Sequence, residues 1–479
     1  MSQPPGVSPP AVPVSENQRR SHQLFRLGLG AALATAAYYV IKNDIADPLH
    51  LYLGLVIVGL AFLPALRWAR EGNFQFPVFE VFMLTMVTTY ALPLLNGHSQ
   101  LSLYDSGTIS TAGLLVIVHQ IAALVTYYST PARPGRGGFW TEELISTHSL
   151  RFLRGGVVLC TVYTYVSQFT GLIPNDLAGV LRAVLFGVGI VSSFVLARMW
   201  GQGILARGDK VMLAVLMFAQ IYMSLSSLVM ISGMSTLLLA VLGYISGGRK
   251  VPLLLLVPAL LLFAVLHNGK SAMRLRYWSE DKGGQEQVTF TDLPAFYSEW
   301  VSAGLAGGGE QTTTTSKIID RASLFHIVCL VVSRTPDPLD YLYGQTYTYI
   351  PGQFVPRFFW PDKPVGHIAT NVIGMHYGMI DQESTLKTTI AIGLLAEAYA
   401  NFGLLGGIFI GAFMGFFLRK TTGLAANSPM LSPGGLLLVV LMAWSFQTEF
   451  TLSIWLSSLF QALVAVVVLP LALRRLLGG

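Results

Sequence analysis

Apolar stretches of bilayer length recur along most of the chain, joined by short polar connectors, until one long polar interruption breaks the series. A helix needs roughly 20 apolar residues to cross a hydrocarbon core. That length predicts twelve spans: 23–41, 49–68, 77–95, 108–128, 154–173, 178–199, 211–231, 234–247, 251–267, 395–418, 433–449 and 453–473. The runs are continuous, not alternating strands of about ten residues, which excludes a membrane barrel. The interruption, Asn268 to Lys387, holds 10 of the 30 Lys+Arg and 12 of the 24 Asp+Glu. Half the acidic charge of a membrane chain in one segment marks that segment as the place to look for chemistry.

Composition agrees with the pattern. The chain is 53% hydrophobic and 11% charged, with a mean hydropathy of +0.59, whereas a soluble domain carries about 25% charged residues. Basic residues set the orientation, because cytoplasmic loops of membrane proteins are enriched in Lys and Arg. With the N-terminus cytoplasmic, 18 basic residues fall inside, among them Arg19, Arg67, Arg133, Arg198, Arg249 and Arg419. The short outer loops hold only Lys42 and Arg182. Nine spans precede the interruption, so it is expected outside, with both termini cytoplasmic. The +6 net charge is accounted for by this bias and calls for no nucleic acid.

The fold class expected is an all-α polytopic membrane protein, about twelve transmembrane helices with one large extracytoplasmic loop. Its expected parts are a disordered cytoplasmic N-terminus (1–22), a nine-helix membrane region (23–267), the outer loop with short interfacial helices (268–394) and three C-terminal transmembrane helices (395–479). The first 18 residues are rich in Pro and Ser and lack a signal peptide's basic start and apolar core, so the first apolar run is read as a retained span. Cys160 and Cys329 should lie at different depths, as two small buried residues without metal-ligand spacing.

The outer loop divides into four parts. It opens with Lys270, Arg274 and Arg276; if helical, Lys270 and Arg274 share a face. Such a cluster suits phosphate, for which Arg offers paired donors and Lys a point charge; ordinary lipid headgroups would suit it equally. Next comes a Gly/Thr stretch from Leu305 to Ser316, with the composition of a flexible tether. A short helix is expected over Asp320 to Val332, capped by Asp320, with Arg321 in its first turn. A cation is disfavoured there by the helix dipole, so Arg321 either pairs with Asp320 or is kept for a ligand anion. Last, Tyr349 to Pro364 carries four prolines in sixteen residues, which forbids a regular helix. Its aromatics suit an interface, and Arg357 and Lys363 set charge beside rings, an arrangement fitted to sugar faces and phosphates.

The tenth span enters from outside as Glu397-Ala398-Tyr399-Ala400-Asn401-Phe402-Gly403. Glu397 and Asn401 share a helical face. Gly403, Gly407, Gly411 and Gly415 recur every four residues, a ladder that admits a neighbouring helix closely. An ionisable residue at a span is by default a functional candidate, here as a proton acceptor or donor; the alternative is a carboxylate satisfied by a loop arginine. Glu449 is a second carboxylate on the same side. There is no HExxH, CxxC pair, phosphate-binding loop or GxSxG, and no Asp-x-Asp in the outer loop. Neither a metal nor a cofactor is expected. A donor with its own leaving group, such as a lipid diphosphate, needs no nucleotide site, and cations can stabilise the charge it develops.

Taken in order, the basic opening, Arg321, Ile350-Pro351 through Phe358-Phe359-Trp360-Pro361-Asp362-Lys363-Pro364, and the Glu397 to Gly403 segment resemble the bacterial oligosaccharide repeat-unit polymerases of the O-antigen (Wzy) type. The similarity is specific over roughly 265–420. It implies a GT-C-like glycosyltransferase of the bacterial inner membrane, with polyprenyl-diphosphate-linked oligosaccharides as donor and acceptor, membrane lipids around it, and a chain-length regulator and flippase as associated proteins. It implies diphosphate contacts for Arg274, Arg276 and Arg321, with Lys270 beside them and Arg357 and Lys363 assisting. It maps the acidic-aromatic segment onto Glu397, Tyr399, Asn401 and Gly403. Glu397 is the expected base, with Asp320 as alternate. The chain departs from the pattern after the seventh span, where many relatives carry an Arg in a Gly/Ser-rich turn and this sequence reads Ser232-Gly233-Met234-Ser235-Thr236. Three other readings stand beside it. A transferase using a lipid-monophosphate sugar would rely on Asp44 and Asp47 in the first outer loop. A glycan ligase is close in chemistry. A lipid-glycan transporter would need polar residues through the bundle, where only Gln168, Gln220 and scattered Ser and Thr are seen.

Overall fold

The computed structural model describes residues 14–42, 47–71, 77–131, 147–170, 172–173, 175–228, 230–277, 288–306, 323–355, 360, 362–383, 385, 390–425, 428, 433–464 and 468. All regular structure among them is helical. The chain divides into two compact units, Met1–Glu142 with Thr314–Phe460, and Glu143–Thr313 with Gln461–Gly479. The polar interruption is divided between the two units at residue 313. Among the described residues, eight helices are long and apolar enough to cross a membrane. The expected count was twelve. Of the rest, Met230–Ser246 has 17 residues, Pro433–Ser445 has 13 and Leu452–Leu463 has 12.

The first unit holds α1 (Val14–Lys42), α2 (Pro48–Glu71), α3 (Val78–Leu95) and α4 (Ser106–Ser129). Helix α1 begins inside the segment expected to be disordered. Asp47 caps α2, its Oδ1 accepting the N–H of Leu49 at 2.9 Å, with Pro48 at the first helical position where its missing N–H costs nothing. Asp105 caps α4 in the same way, accepting the N–H and hydroxyl of Thr108 at 2.9 and 2.6 Å. Helix α3 contains a π-helical stretch, Val87–Ala91. Such a bulge releases a carbonyl from the helical ladder, and Thr89 O accepts the N–H of Leu324 at 3.0 Å.

The second unit holds α5 (Thr147–Phe169), α6 (Asn175–Gln202), α7 (Arg207–Leu225), α8 (Met230–Ser246), α9 (Leu253–Tyr277) and α10 (Leu293–Ala306). Helices α6 and α8 approach closely through glycines: a Cβ on Gly201 would lie 2.1 Å from Tyr244 O, and one on Gly247 2.4 Å from Arg198 O. Helix α9 runs ten residues past the end of its apolar run at His267, as far as Tyr277. It can do so because α10 covers it. Trp300 is fully buried, and its Nε1 donates to Leu266 O at 2.7 Å, within a core of Phe263, Leu266, Met273 and Phe296.

After the polar interruption the first unit resumes with α11 (Phe325–Arg334), α12 (Ile368–His376), α13 (Leu394–Ala425), α14 (Pro433–Ser445) and α15 (Leu452–Leu463). Helix α11 starts at Phe325 with Leu324 as its cap, five residues later than expected. Asp320 and Arg321 lie outside the described residues. Helix α13 packs along α4 through the glycine ladder. A Cβ on Gly411 would lie 2.3 Å from His119 O and one on Gly415 2.3 Å from Ala123 O; His119 Nδ1 lies 3.2 Å from Gly407 O. Cys160 and Cys329 are both buried and unbridged.

Candidate functional site

Helix α13 is not continuous. Phe402 has φ −141°, ψ 16° and Gly403 φ 60°, ψ −141°, so a short first half from Leu394 to Asn401 breaks before the long ladder-bearing half. Only glycine enters that last region without strain. The break is sharp enough that a Cβ on Gly406 would meet Ala398 O. Gly403 thus makes the break and is not a rung of the ladder, as its spacing suggested.

A helix end leaves carbonyls without partners, and the segment 341–346 supplies them. Leu342 N–H donates to Ala400 O at 2.9 Å and Tyr343 N–H to Asn401 O at 3.2 Å. The Asn401 side chain completes the join: its Oδ1 accepts from Gly344 N–H at 2.9 Å, and its Nδ2 donates to Thr346 Oγ1 and to Glu397 O, both at 2.8 Å. All of Asn401, Thr346 and Glu397 are fully buried.

Glu397 faces the start of α15. Its Oε2 accepts the N–H of Leu452 at 2.5 Å, which places the carboxyl on the positive end of that helix. The Thr346 hydroxyl neighbours the carboxyl, and Oε1 is buried without a well-formed hydrogen bond, as are Asn371 Oδ1 and Ser453 Oγ in the same unit. Thr370 and Thr451 approach each other at 3.4 Å. Among the described residues the contact that Glu397 makes is this backbone N–H, and no arginine of the described loop pairs with it. Beside it, Tyr399 is buried and edge-on to Tyr341 at 6.3 Å, and its hydroxyl donates to Thr335 O at 3.5 Å. The Tyr347 hydroxyl is pushed up by burial, and secondarily by Glu397. Burial likewise raises Cys329 to about 12, so this thiol is no nucleophile. Glu449 is exposed, and its carbonyl accepts the N–H groups of Ile392 and Gly393 at 3.2 and 3.0 Å.

The basic residues are placed elsewhere in the chain's architecture. Lys270, Arg274 and Arg276 stand on α9 in the second unit. Arg276 pairs with Glu299 of α10, which also accepts from the Tyr277 hydroxyl at 3.0 Å. Arg274 Nη2 donates at 3.2 Å to the carbonyl of Leu228, a residue at φ 56° in the α7–α8 junction. The Ser232 to Thr236 segment lies within the first turns of α8 and is not a turn. Lys363 is half-buried and donates to Val355 O at 2.7 Å and Gln353 O at 3.3 Å, so its ammonium fastens the proline-rich bend instead of standing clear beside the rings. Arg357 lies outside the described residues. Of the first outer loop, Asp44 lies outside the described residues, and Asp47 is engaged as a cap and as the acceptor of the Ser106 hydroxyl. Among the described residues no group of three or more His, Cys, Asp or Glu is arranged to hold a metal.

Thr346, Tyr341, Tyr343, Gly344 and Leu452 escaped the sequence reading. Only Tyr343-Gly344, as a turn dipeptide, carries any local signal.

The fold and site together define a class: an all-helical membrane protein whose polar segment docks on a broken membrane helix. A family model described as a domain of unknown function, DUF8712, matches residues 165–429, more than half of the chain, and the protein belongs to that family. No curated protein and no solved structure matches it.

Proposed function

We propose that this protein is a glycosyltransferase that polymerises polyprenyl-diphosphate-linked oligosaccharide repeat units on the periplasmic face of a bacterial inner membrane. The observation that carries the reading is the docking of segment 341–346 onto the break in α13, with Glu397 and Asn401 buried beneath it. That arrangement puts one carboxyl oxygen without a well-formed hydrogen bond at the outer end of a membrane helix, in the stretch that resembles the repeat-unit polymerases. The reading includes twelve spans, both termini cytoplasmic and a GT-C-like architecture, which the basic-residue bias supports.

In this reading the acceptor hydroxyl attacks the donor's anomeric carbon. The bond from that carbon to the phosphate oxygen breaks, and polyprenyl diphosphate leaves with the electron pair. The hydroxyl proton passes to Glu397 Oε1, and the full burial of Glu397 means that segment 341–346 must lift to admit the acceptor. The resemblance assigns the diphosphate contacts to Lys270, Arg274, Arg276 and Arg321. The place of Arg274 at the α7–α8 junction supports its standing in for the arginine that relatives carry after the seventh span. Lys363 supports the proline-rich bend, and Arg357 remains the assisting cation.

The decisive experiment incubates the purified protein with synthetic polyprenyl-diphosphate repeat units. The expected product is a ladder of lengthening glycans with release of polyprenyl diphosphate; a single unextended band overturns the reading. The break in α13 favours one second reading, a lipid-glycan transporter, since discontinuous helices line transport sites. Cells lacking the gene separate the two: single-repeat glycan on the outer leaflet supports the polymerase, and intermediates retained inside support the transporter.

A further inference from the structure

The segment that closes the helix break also presents an aromatic ring to the outside at a conformational cost. Tyr343 sits at φ 46°, a left-handed conformation that side chains other than glycine rarely adopt. Its backbone is held there from both sides, by Tyr343 N–H on Asn401 O and Gly344 N–H on the Asn401 side chain. The side chain is 73% exposed, and its one ring contact among the described residues is the edge of Tyr341. Strain that the surroundings enforce, on an exposed ring, points to a use for that ring.

The surroundings define what it would take. Tyr343 stands edge-on to Tyr341 at 6.1 Å and 77°, and Tyr341 in turn adjoins the buried Tyr399, two residues from Glu397. Phe402, exposed at the break, covers Gly344, where a Cβ would lie 3.0 Å from its ring. Gln345, two residues along the chain from Tyr343, is exposed as well. A ring face is the negative side of an aromatic quadrupole and attracts the polarised C–H groups on one face of a pyranose.

We infer that Tyr343 is a sugar-stacking residue, binding the pyranose face of a glycan at the helix break; this rests on the glycan-transfer reading above and names the substrate group that this part of the site holds. The ring, not the backbone, is the functional part, and the two are separable because glycine adopts φ 46° without strain.

The test uses the full-length protein in nanodiscs and two probes. One is the oligosaccharide released by mild acid from the host's lipid-linked repeat units, followed by saturation-transfer NMR. The other is the synthetic lipid-linked repeat unit used for the ladder. Tyr343→Gly should keep or raise the thermal midpoint, lose the saturation transfer to the sugar C–H protons, and raise the apparent KM for acceptor by roughly tenfold with kcat nearly unchanged, about the weight of one good ring contact. Tyr343→Phe and Tyr343→Trp should restore both readouts. Saturation transfer that persists in Tyr343→Gly, or is absent in the wild-type protein, overturns the inference. Binding that depends on Tyr343 in a protein that makes no ladder upholds the sugar site and removes the polymerase reading.

Discussion

Glu397 joins two helices that are far apart in the chain, and its two oxygens have different jobs. Oε2 satisfies the first N–H of α15, and Oε1 is the oxygen that takes the proton in the proposed reaction. Removing the side chain should therefore damage both. Glu397→Ala leaves the Leu452 N–H buried without an acceptor and opens a cavity, at a cost of about 2–4 kcal/mol. Glu397→Gln retains an acceptor oxygen for Leu452 and should cost less than about 1 kcal/mol, while abolishing elongation. Thermal unfolding in detergent and the ladder assay read the two effects; a Gln variant that elongates normally rules Glu397 out as the base. That Glu397 and Asn401 share a face was legible from their spacing. Their partners were not: Thr346 and Leu452 each lie 55 residues from the group they bond, and nothing local announces such a contact.

At the level of elements, α13 shows why a small-residue repeat is an incomplete instruction. Gly407, Gly411 and Gly415 admit α4 because a Cβ there would strike Leu115 or the carbonyls of His119 and Ala123. Gly403 continues the same spacing for another reason, a backbone that only glycine tolerates. Both needs select the residue without a Cβ, so periodicity cannot tell them apart. Gly403→Ala should cost roughly 2–3 kcal/mol from the backbone alone, and its Cβ would also lie 2.7 Å from the Tyr341 hydroxyl. The thermal midpoint should fall, and protease cleavage within 335–349 should accelerate as the segment loses its dock; an unchanged cleavage rate would show that the break does not hold the segment. The cationic opening of the outer loop illustrates the reverse case. Its helical spacing on α9 was legible, but the sequence left open where each charge is spent, on Glu299 for Arg276 and on the Leu228 carbonyl for Arg274.

On the scale of the whole molecule, orientation is the property most open to direct test. Nine expected spans before the polar interruption, and 18 basic residues expected inside against 2 in the short outer loops, predict Gln311 outside. A reporter fused there should be active in the periplasm and inactive as a cytoplasmic fusion; the opposite result reverses the map. The eight helices of spanning length and character already make this a membrane protein. The division into two units cuts across the hydropathy map, since α9 and α10 belong with α5–α8 whereas the segment from Thr314 returns to α1–α4.

The sequence by itself determined the membrane class, the all-helical character, the position of the polar interruption and the singular place of Glu397. These rest on local quantities, apolar length, spacing and charge, that each stretch carries without reference to the rest. Only the tertiary structure decided that α13 breaks at Gly403, that segment 341–346 seals the break, and that Tyr343 is held in a strained conformation facing outward. Each of those depends on hydrogen bonds between residues dozens of positions apart, and such partners are chosen by packing, not by the residues' neighbours in the chain.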